Sequence, residues 1–575
     1  MDRRKFLINA SSAFVAASVF EAAGNSSWAK GSIPDIFNLS PDPVITQSND
    51  LTPYSGAWTD TTLRHLLRRT MFGVPMAQFQ AAQSLGGMSS VVDTLLTVPA
   101  SLPSAPSYMD TVVIPQSSDP AVVQSAANLE QAHTNQLINW WMDLIIKENL
   151  SIRERMTVFW SNHFVVGSEI VTRAPYLYYY NQMLRTNALG NMKDFVTAVS
   201  QNPGMIQYLN SDQNYDGIIP NTNTQGGKHI NENYARELCE LFTLGLNDPV
   251  SGLANYTETD VQQAAKALSG WSYNAFQPDT GVFFPSSHNN DQKTFLGTTG
   301  NLGLTEIIDI IFTYKGPNGN NAPGFNAAYW FCRKLYMEFV YYVPNNDVVT
   351  AMANLMLQHN FEVIPVLKAL FESDHFYDIN VINAQLKSPV NFVAGMMREF
   401  GLTYTPFDTS APQKTGSANG VDIYADINPT MTKFTLYIAG VGLGQVLTDP
   451  PNVRGWLGGR NWISTGTFDQ RQQFSHDALI YPWYYDGSTS ANNIKIEFSD
   501  PTTWAQNVPN YNMLTSNQIA GALSQHALNR TLGPNETAIL YIAFDPSNGM
   551  DFYFENKNVA TFAILLAQLP EYQLT

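Results

Sequence analysis

Asn231-Glu232-Asn233-Tyr234-Ala235-Arg236-Glu237-Leu238-Cys239-Glu240-Leu241-Phe242-Thr243-Leu244-Gly245 decides how this chain is read. Tyr234, Leu238 and Leu241 recur at helical spacing and predict one face turned to a core. Glu232, Arg236 and Glu240 stand at i, i+4 and i+8, with Asn233 and Glu237 in a second row beside them. Gly245 marks the stop. Only 14% of the residues are charged, so a helix this rich in carboxylates and amides stands apart from the rest. Two readings stay open. In one, the polar face is solvated and its ion pairs contribute about 0.2–0.5 kcal/mol each. In the other, Arg236 holds one carboxylate while another binds a metal or moves a proton. Glu232, Arg236, Glu237 and Glu240 are then the candidate catalytic residues.

Helical patterning continues outward. Upstream, 61–70 carries Leu63, Leu66 and Leu67 on a stripe, with Arg64, Arg68 and Arg69 largely off it. Further helices are expected at 76–85, 91–96, 122–147, 151–163 and 191–201, with Ser151 and Glu154 spaced as a capping box. Downstream, Thr257 caps a helix ending at Gly270, and others follow at 304–313, 327–339, 348–359, 363–372, 389–400, 432–447 and 558–569. Segments 97–120, 210–228, 403–430 and 484–515 read as polar loops, and 271–284 as one short hairpin. The fold class is mainly α: a large multi-helix globular fold with minor β and long polar loops. Residues 30–58 read as an extended linker or arm, and 59–575 as a single large helical domain.

Composition narrows the function classes. Of 575 residues, 44% are hydrophobic and 12% aromatic, which suits a chain that buries a core and not a disordered one. A net charge of -17 without a basic run excludes nucleic acid as a partner. No later apolar run approaches the roughly 20 residues of a transmembrane helix. Cys239 and Cys332 fall in apolar helical patterns and read as small buried hydrophobes; a disulfide between them stays open. At the N-terminus, Arg3-Arg4-Lys5-Phe6-Leu7, a weakly apolar stretch and Ser27-Trp28-Ala29 predict a twin-arginine signal peptide over 1–29. That predicts a periplasmic or secreted protein. Export in the folded state permits a cofactor without demonstrating one.

Other segments add candidate groups. His163, His229, His288 and Asp291 could form a site for a divalent metal, although no His-Glu-x-x-His spacing supports it and each histidine alone reads as a core or surface residue. The Gly/Pro-rich loop 449–462 offers Asn452, Arg454 and Trp456. It reads either as an anion-binding loop or as a rigid turn packed by Trp456 and Trp462. Asn231, Asn233 and Lys293 complete the candidate substrate-binding set. No nucleophile elbow, phosphate-binding loop or dinucleotide fingerprint is present.

These motifs together resemble a bacterial family known as domain of unknown function 1800. The resemblance rests on His65-Leu66-Leu67-Arg68-Arg69, Phe159-Trp160-Ser161-Asn162-His163-Phe164, 231–244, and Tyr256-Thr257 through Trp271. It continues with His288, Lys293-Thr294-Phe295-Leu296-Gly297, Lys387-Ser388-Pro389-Val390, Pro450-Pro451-Asn452-Val453-Arg454-Gly455-Trp456 and Pro570-Glu571-Tyr572-Gln573-Leu574. One departure matters: the family often has Asp directly after the histidine matching His288, and here Asn289 stands there. The resemblance implies an exported, mainly helical protein. It also implies a co-exported partner from the family known as domain of unknown function 1501, which is similar to the alkaline phosphatase and sulfatase superfamily.

Three functional readings follow. The first is a periplasmic hydrolase or transferase on a polymeric or anionic substrate, with the helix 232–240 supplying acid and base. The second is a non-catalytic binding or assembly protein. The third is a cofactor-bearing redox protein. The helix is expected to form one wall of a site completed by His163, the His288 loop and the Arg454 loop.

Overall fold

A computed structural model describes residues 50–575 except 100, 107–108, 110–117, 405–413, 419–420, 425–441, 480–482, 485–494, 499–500, 531 and 534–551. The expected signal peptide 1–29 and most of the expected arm 30–58 and of the expected helix 432–447 lie outside the described residues. The rest is mainly α, as the periodicity requires. Helices run over Asp60–Thr70, Pro120–Lys147, Arg153–His163, Ala174–Asn187, Glu258–Ala267, Phe325–Phe339, Asn346–Gln358 and Pro389–Glu399, among others. Thr257 and Asp260 form a capping box as expected. The box at Ser151 does not form: the Ser151 hydroxyl accepts from Arg153, while Glu154 turns inward to a bidentate pair with Arg185 at 2.8 and 2.7 Å.

Strands are short. Antiparallel pairs are Tyr215–Ile218 with Gln225–His229, Trp271–Asn274 with Gln277–Phe283, Lys293–Phe295 with Thr298–Gly300, and Lys414–Ala418 with Val421–Tyr424. A small three-stranded sheet joins Thr403–Tyr404, Lys495–Glu497 and Trp483–Tyr484. The polar stretch 210–228 is thus a hairpin, not a loop. A helix also appears where irregular chain was expected, at Pro501–Gln506, and another follows at Ser516–Leu528.

Two apolar clusters form. The larger gathers buried residues between Leu63 and Val381. The smaller gathers Ile138–Ile145 side chains with Val390–Leu402, Leu443–Leu479 and the C-terminal helix. The first helix bridges them with charged side chains. Arg68 and Arg69 are 2% and 0% exposed, contrary to the expectation that they lie off the apolar stripe. Their guanidinium groups donate to distant carbonyls: Arg68 to Ala527 and Leu574, Arg69 to Val381. A buried guanidinium survives only with such acceptors. Cys239 and Cys332 are buried and unbonded. Burial pushes the Cys239 thiol up to about 12, so both behave as core residues. No helix among the described residues is long and apolar enough to cross a membrane.

Candidate functional site

The helix quoted at the outset begins as an α-helix, Asn233–Glu237, and widens into a π-helix, Leu238–Thr243. Such turns are rare and cluster at functional sites. The Thr243 hydroxyl donates five residues back to the Leu238 carbonyl at 2.5 Å and supports the wider turn. Carbonyls at the end of a helix lack internal partners, and ring or amide donors from elsewhere satisfy them here. His163 Nε2 donates to the Phe242 carbonyl at 3.0 Å, Trp330 Nε1 to Leu241 at 2.7 Å, and Asn255 Nδ2 to Leu244 at 2.9 Å. The bond to Phe242 fixes the His163 tautomer with its proton on Nε2. Burial pushes His163 down to about 3. It is a neutral clamp on the π turn.

The turn separates the expected i, i+4, i+8 ladder. Arg236 bonds Glu232 at 3.1 Å, as the spacing predicts, but its other contacts are a bidentate pair with Glu258 at 2.8 and 2.7 Å. Glu240 pairs instead with Arg454 at 3.0 Å. Glu237 is half-buried and makes no hydrogen bond or ion pair among the described residues. Burial and the charge of Glu240 raise its pKa, against the pull of Arg454 and Arg236.

The Arg454 loop is held to the helix Arg153–His163 by one side chain. Asn162 donates to the Trp456 carbonyl at 3.1 Å and accepts from its N–H at 2.7 Å. Gly455 makes this possible: its φ is +71°, and a Cβ there would lie 2.2 Å from Asn162 Oδ1. Asn452 Oδ1 accepts from the Arg454 N–H at 2.9 Å and shapes the turn. Next to it, the Ser168 N–H donates to the Thr448 carbonyl at 2.7 Å. Tyr208 packs over Gly167. Burial and the charges of Glu169, Glu237 and Asp449 raise the Tyr208 hydroxyl to about 12. Tyr256 is raised by burial and by Cys239, Glu240 and Glu237, and its buried hydroxyl has no hydrogen-bond partner among the described residues. Glu237, Glu240, Arg454, Tyr208, Tyr256, Glu169 and Asp449 therefore share one electrostatic neighbourhood. Sequence reasoning missed both tyrosines, although Tyr256 sits inside a quoted motif.

Three of the four segments converge, and the His288 loop does not join them. His288 Nδ1 bonds the Ser269 carbonyl at 3.0 Å. His229 lies on the hairpin, stacked on Tyr215, with Nδ1 bonding the Gln213 carbonyl at 2.5 Å. Asp291 is tied to Asn289 at 3.0 Å and lies 3.7 Å from Lys228. Among the described residues, no group of three or more His, Cys, Asp or Glu is placed to hold a metal ion. The grouping of His163, His229, His288 and Asp291 is corrected accordingly: each histidine has a ring nitrogen on a backbone carbonyl in a different part of the fold. Lys293 is corrected as well. It is 1% exposed, and its ammonium donates to Asn289, Asp291 and Asn301 oxygens at 2.6, 3.0 and 3.4 Å, which occupies all three donors. Asn231 Oδ1 accepts from the Asn233 N–H at 3.0 Å and starts the helix. The Asn233 side chain itself is exposed.

The departure at Asn289 has a physical reason. Its amide donates to Asp216 at 2.6 Å and to Asp291 at 3.0 Å, so it bridges two carboxylates. Asn289→Asp should replace that bridge with a third carboxylate and cost about 1–3 kcal/mol. Thermal melts should show a lower Tm, partly recovered by millimolar calcium. An unchanged Tm without the ion would sink this account.

Fold and site together define a mainly helical globular protein with a carboxylate–tyrosine cluster on a π turn. The chain belongs to the family described as Protein of unknown function (DUF1800), whose model matches residues 65–574. No curated protein and no solved structure matches the chain.

Proposed function

We propose that the protein is an exported hydrolase or transferase acting on an uncharged polymer, with Glu237 as proton donor and Glu240 as the oriented carboxylate. The observation that carries this reading is the contrast between the two. Glu237 is half-buried, has no hydrogen-bond or ion-pair partner among the described residues and is biased toward its protonated form, while Glu240 is held by Arg454 at 3.0 Å. Two carboxyl groups in unlike environments are what general acid–base chemistry needs. Of the two substrate classes expected, the polymer is preferred. Glu169, Glu240 and Asp449 outnumber Arg454 around the cluster and would repel an anion. Export rests on the Arg3-Arg4 signal pattern.

The test is turnover of a panel of neutral polysaccharides and esters. Glu237→Gln should remove it with Tm unchanged, since the side chain makes no bond that stabilises the fold. In the wild type, kcat should fall as pH rises through the raised pKa of Glu237, because the donor must be protonated. Turnover that survives Glu237→Gln would overturn the assignment.

A second reading, a non-catalytic assembly protein working with a co-exported protein of the domain of unknown function 1501 family, is favoured by one observation. Leu457 is 77% exposed beside Arg454 and Trp456, an apolar group available to a docking surface. Stoichiometric co-purification that Leu457→Glu abolishes would support it.

A further inference from the structure

The hairpin Tyr215–Ile218/Gln225–His229 and the strand Trp271–Asn274 enclose a pocket of about 340 Å³. It lies apart from the carboxylate cluster but is joined to it at both ends. The helix Pro203–Tyr208 ends in Tyr208 and leads directly into the pocket wall Ser211–Gln213. His229 leads through Asn231 into the helix that carries Glu237.

Three features of the lining bear on a ligand. Tyr215 and His229 are stacked, with ring centroids 5.4 Å apart and planes inclined by 20°. They form a stacked pair and not a cage. Gly226 permits this, since a Cβ there would sit 2.6 Å from the Tyr215 ring. Tyr273 supplies a third ring, held from behind by Tyr176 at 5.3 Å. Around the rings stand Asp212, Gln213 and Asn221. Asn221 is pinned by bonds to Ser272 Oγ and the Tyr273 carbonyl at 2.8 and 2.9 Å. His229 Nδ1 is bound to the Gln213 carbonyl, so Nε2 of the neutral ring is left as an acceptor. Among the described residues, the lining has no lysine or arginine.

We propose that this pocket binds a single sugar ring of a neutral glycan, stacked on Tyr215 and hydrogen-bonded through its hydroxyls to Asp212, Gln213 and the Tyr273 hydroxyl. A sugar has one apolar face for an aromatic surface and a rim of hydroxyls for planar polar side chains, and this lining provides both. A phosphorylated or carboxylated ligand would find no lysine or arginine among the described lining residues and would meet Asp212; the nearby Arg173 charge is shared with Glu130 at 3.7 Å. A quaternary ammonium would need rings on several sides, whereas two of the three lie parallel. Asp212 is raised by burial, which suits a group that exchanges hydrogen bonds with hydroxyls. The assignment deepens the polymer reading above and rests on it for its place in a reaction: the pocket would anchor one unit while the chain extends toward Glu237. Binding itself requires no turnover.

The experiment is affinity electrophoresis of the full chain, and of Glu237→Gln, through gels containing dextran, glucomannan, xylan or mixed-linkage β-glucan. Migration should be retarded by at least one glycan, equally for both proteins. Tyr215→Ala should weaken retardation about tenfold, the equivalent of about 1.4 kcal/mol, with an unchanged circular dichroism spectrum and Tm. Asp212→Asn keeps the shape and serves as a second variant; it should weaken binding while folding normally. Absence of retardation by any of these glycans would overturn the proposal, as would retardation that neither variant reduces. Retardation without turnover would overturn the catalytic reading and leave the pocket standing.

Discussion

Lys387→Met should destabilise the fold by about 3–5 kcal/mol at pH 6, because it strands a buried carboxylate. Lys387 is 2% exposed and Glu399 7%. The ammonium lies 3.7 Å from Glu399 Oε2 and 3.8 Å above the Tyr572 ring. Glu399 also accepts from the Tyr572 hydroxyl at 2.6 Å and from the Val74 N–H at 3.2 Å, so it cannot turn away to water. Removing the lysine leaves that carboxylate fixed in place with only the more distant charges of Arg68 and Arg398 to offset it. Removing both charges, in Lys387→Met/Glu399→Gln, should recover most of the loss, since the Gln carbonyl can still accept from the Val74 N–H while its amide donates to the Tyr572 hydroxyl oxygen. Urea titrations of the four proteins give the coupling directly. Additive losses would refute a pair. The pH dependence has a definite sign. Burial lowers Lys387 to about 7 from 10.5, partly opposed by Glu399. Between those values the unfolded chain binds the extra proton, so the contribution of this group to stability rises with pH. The variant should lack that rise.

This buried centre explains much of what the sequence conceals. Periodicity locates helices because a stripe is a local property. It does not identify what an inward-facing arginine meets. Arg68 and Arg69 find acceptors in carbonyls more than 300 positions away, and Arg471 likewise donates to the Lys387 carbonyl at 2.9 Å. The quoted Lys387-Ser388-Pro389 and Pro570-Glu571-Tyr572 motifs are brought together by backbone pairing of Leu386 with Leu574. Their joint role is a packed ionic centre, which neither motif shows alone.

The candidate site was legible in part for a similar reason. Dense charge around Glu237 located the helix, and Arg454 did reach it. The π turn was not legible, because an extra residue in one turn leaves the apolar stripe almost unchanged. It nevertheless directs Glu240 to Arg454 and leaves Glu237 alone. Histidines misled: three beside motifs suggested a metal, whereas each has a nitrogen bound to a backbone carbonyl, a contact without a sequence signature. The hairpin at 215–229 escaped because its second strand, Gln-Gly-Gly-Lys-His, is exposed throughout and lacks the alternation that marks a half-buried strand.

Acidification should unfold the protein in a window set by buried neutral histidines. His163 and His526 are pushed down by burial to about 3 and about 4, and His65 lies well below its ordinary value for the same reason. Each has Nε2 bonded to a carbonyl, those of Phe242, Val74 and Phe376 at 3.0, 2.7 and 2.9 Å. A depressed folded pKa means that the unfolded chain binds more protons between that value and 6.5. The stability these groups contribute above pH 6.5 is therefore lost as pH falls, by about 1.4 kcal/mol per pH unit for each proton taken up. Glu148 opposes this. Burial and Glu154 raise it to about 8, so the folded chain holds its proton and gains stability as pH falls from 8 toward 4.5. The steepest loss should thus lie below pH 4.5, where Glu148 no longer opposes the histidines and the depressed carboxylate Glu399 adds to the loss. Urea midpoints from pH 3.5 to 7 measure the slope. His526→Gln, whose amide can still donate to Val74, should reduce it by about one proton's worth; an unchanged slope would remove that residue from the account. His163→Gln carries a second consequence. Gln can keep the Phe242 carbonyl bonded without titrating, so the π turn and the Glu240–Arg454 pair should persist to lower pH than in the wild type. If acid loosens the site through His163, substrate binding in this variant should survive at pH values where the wild type has lost it.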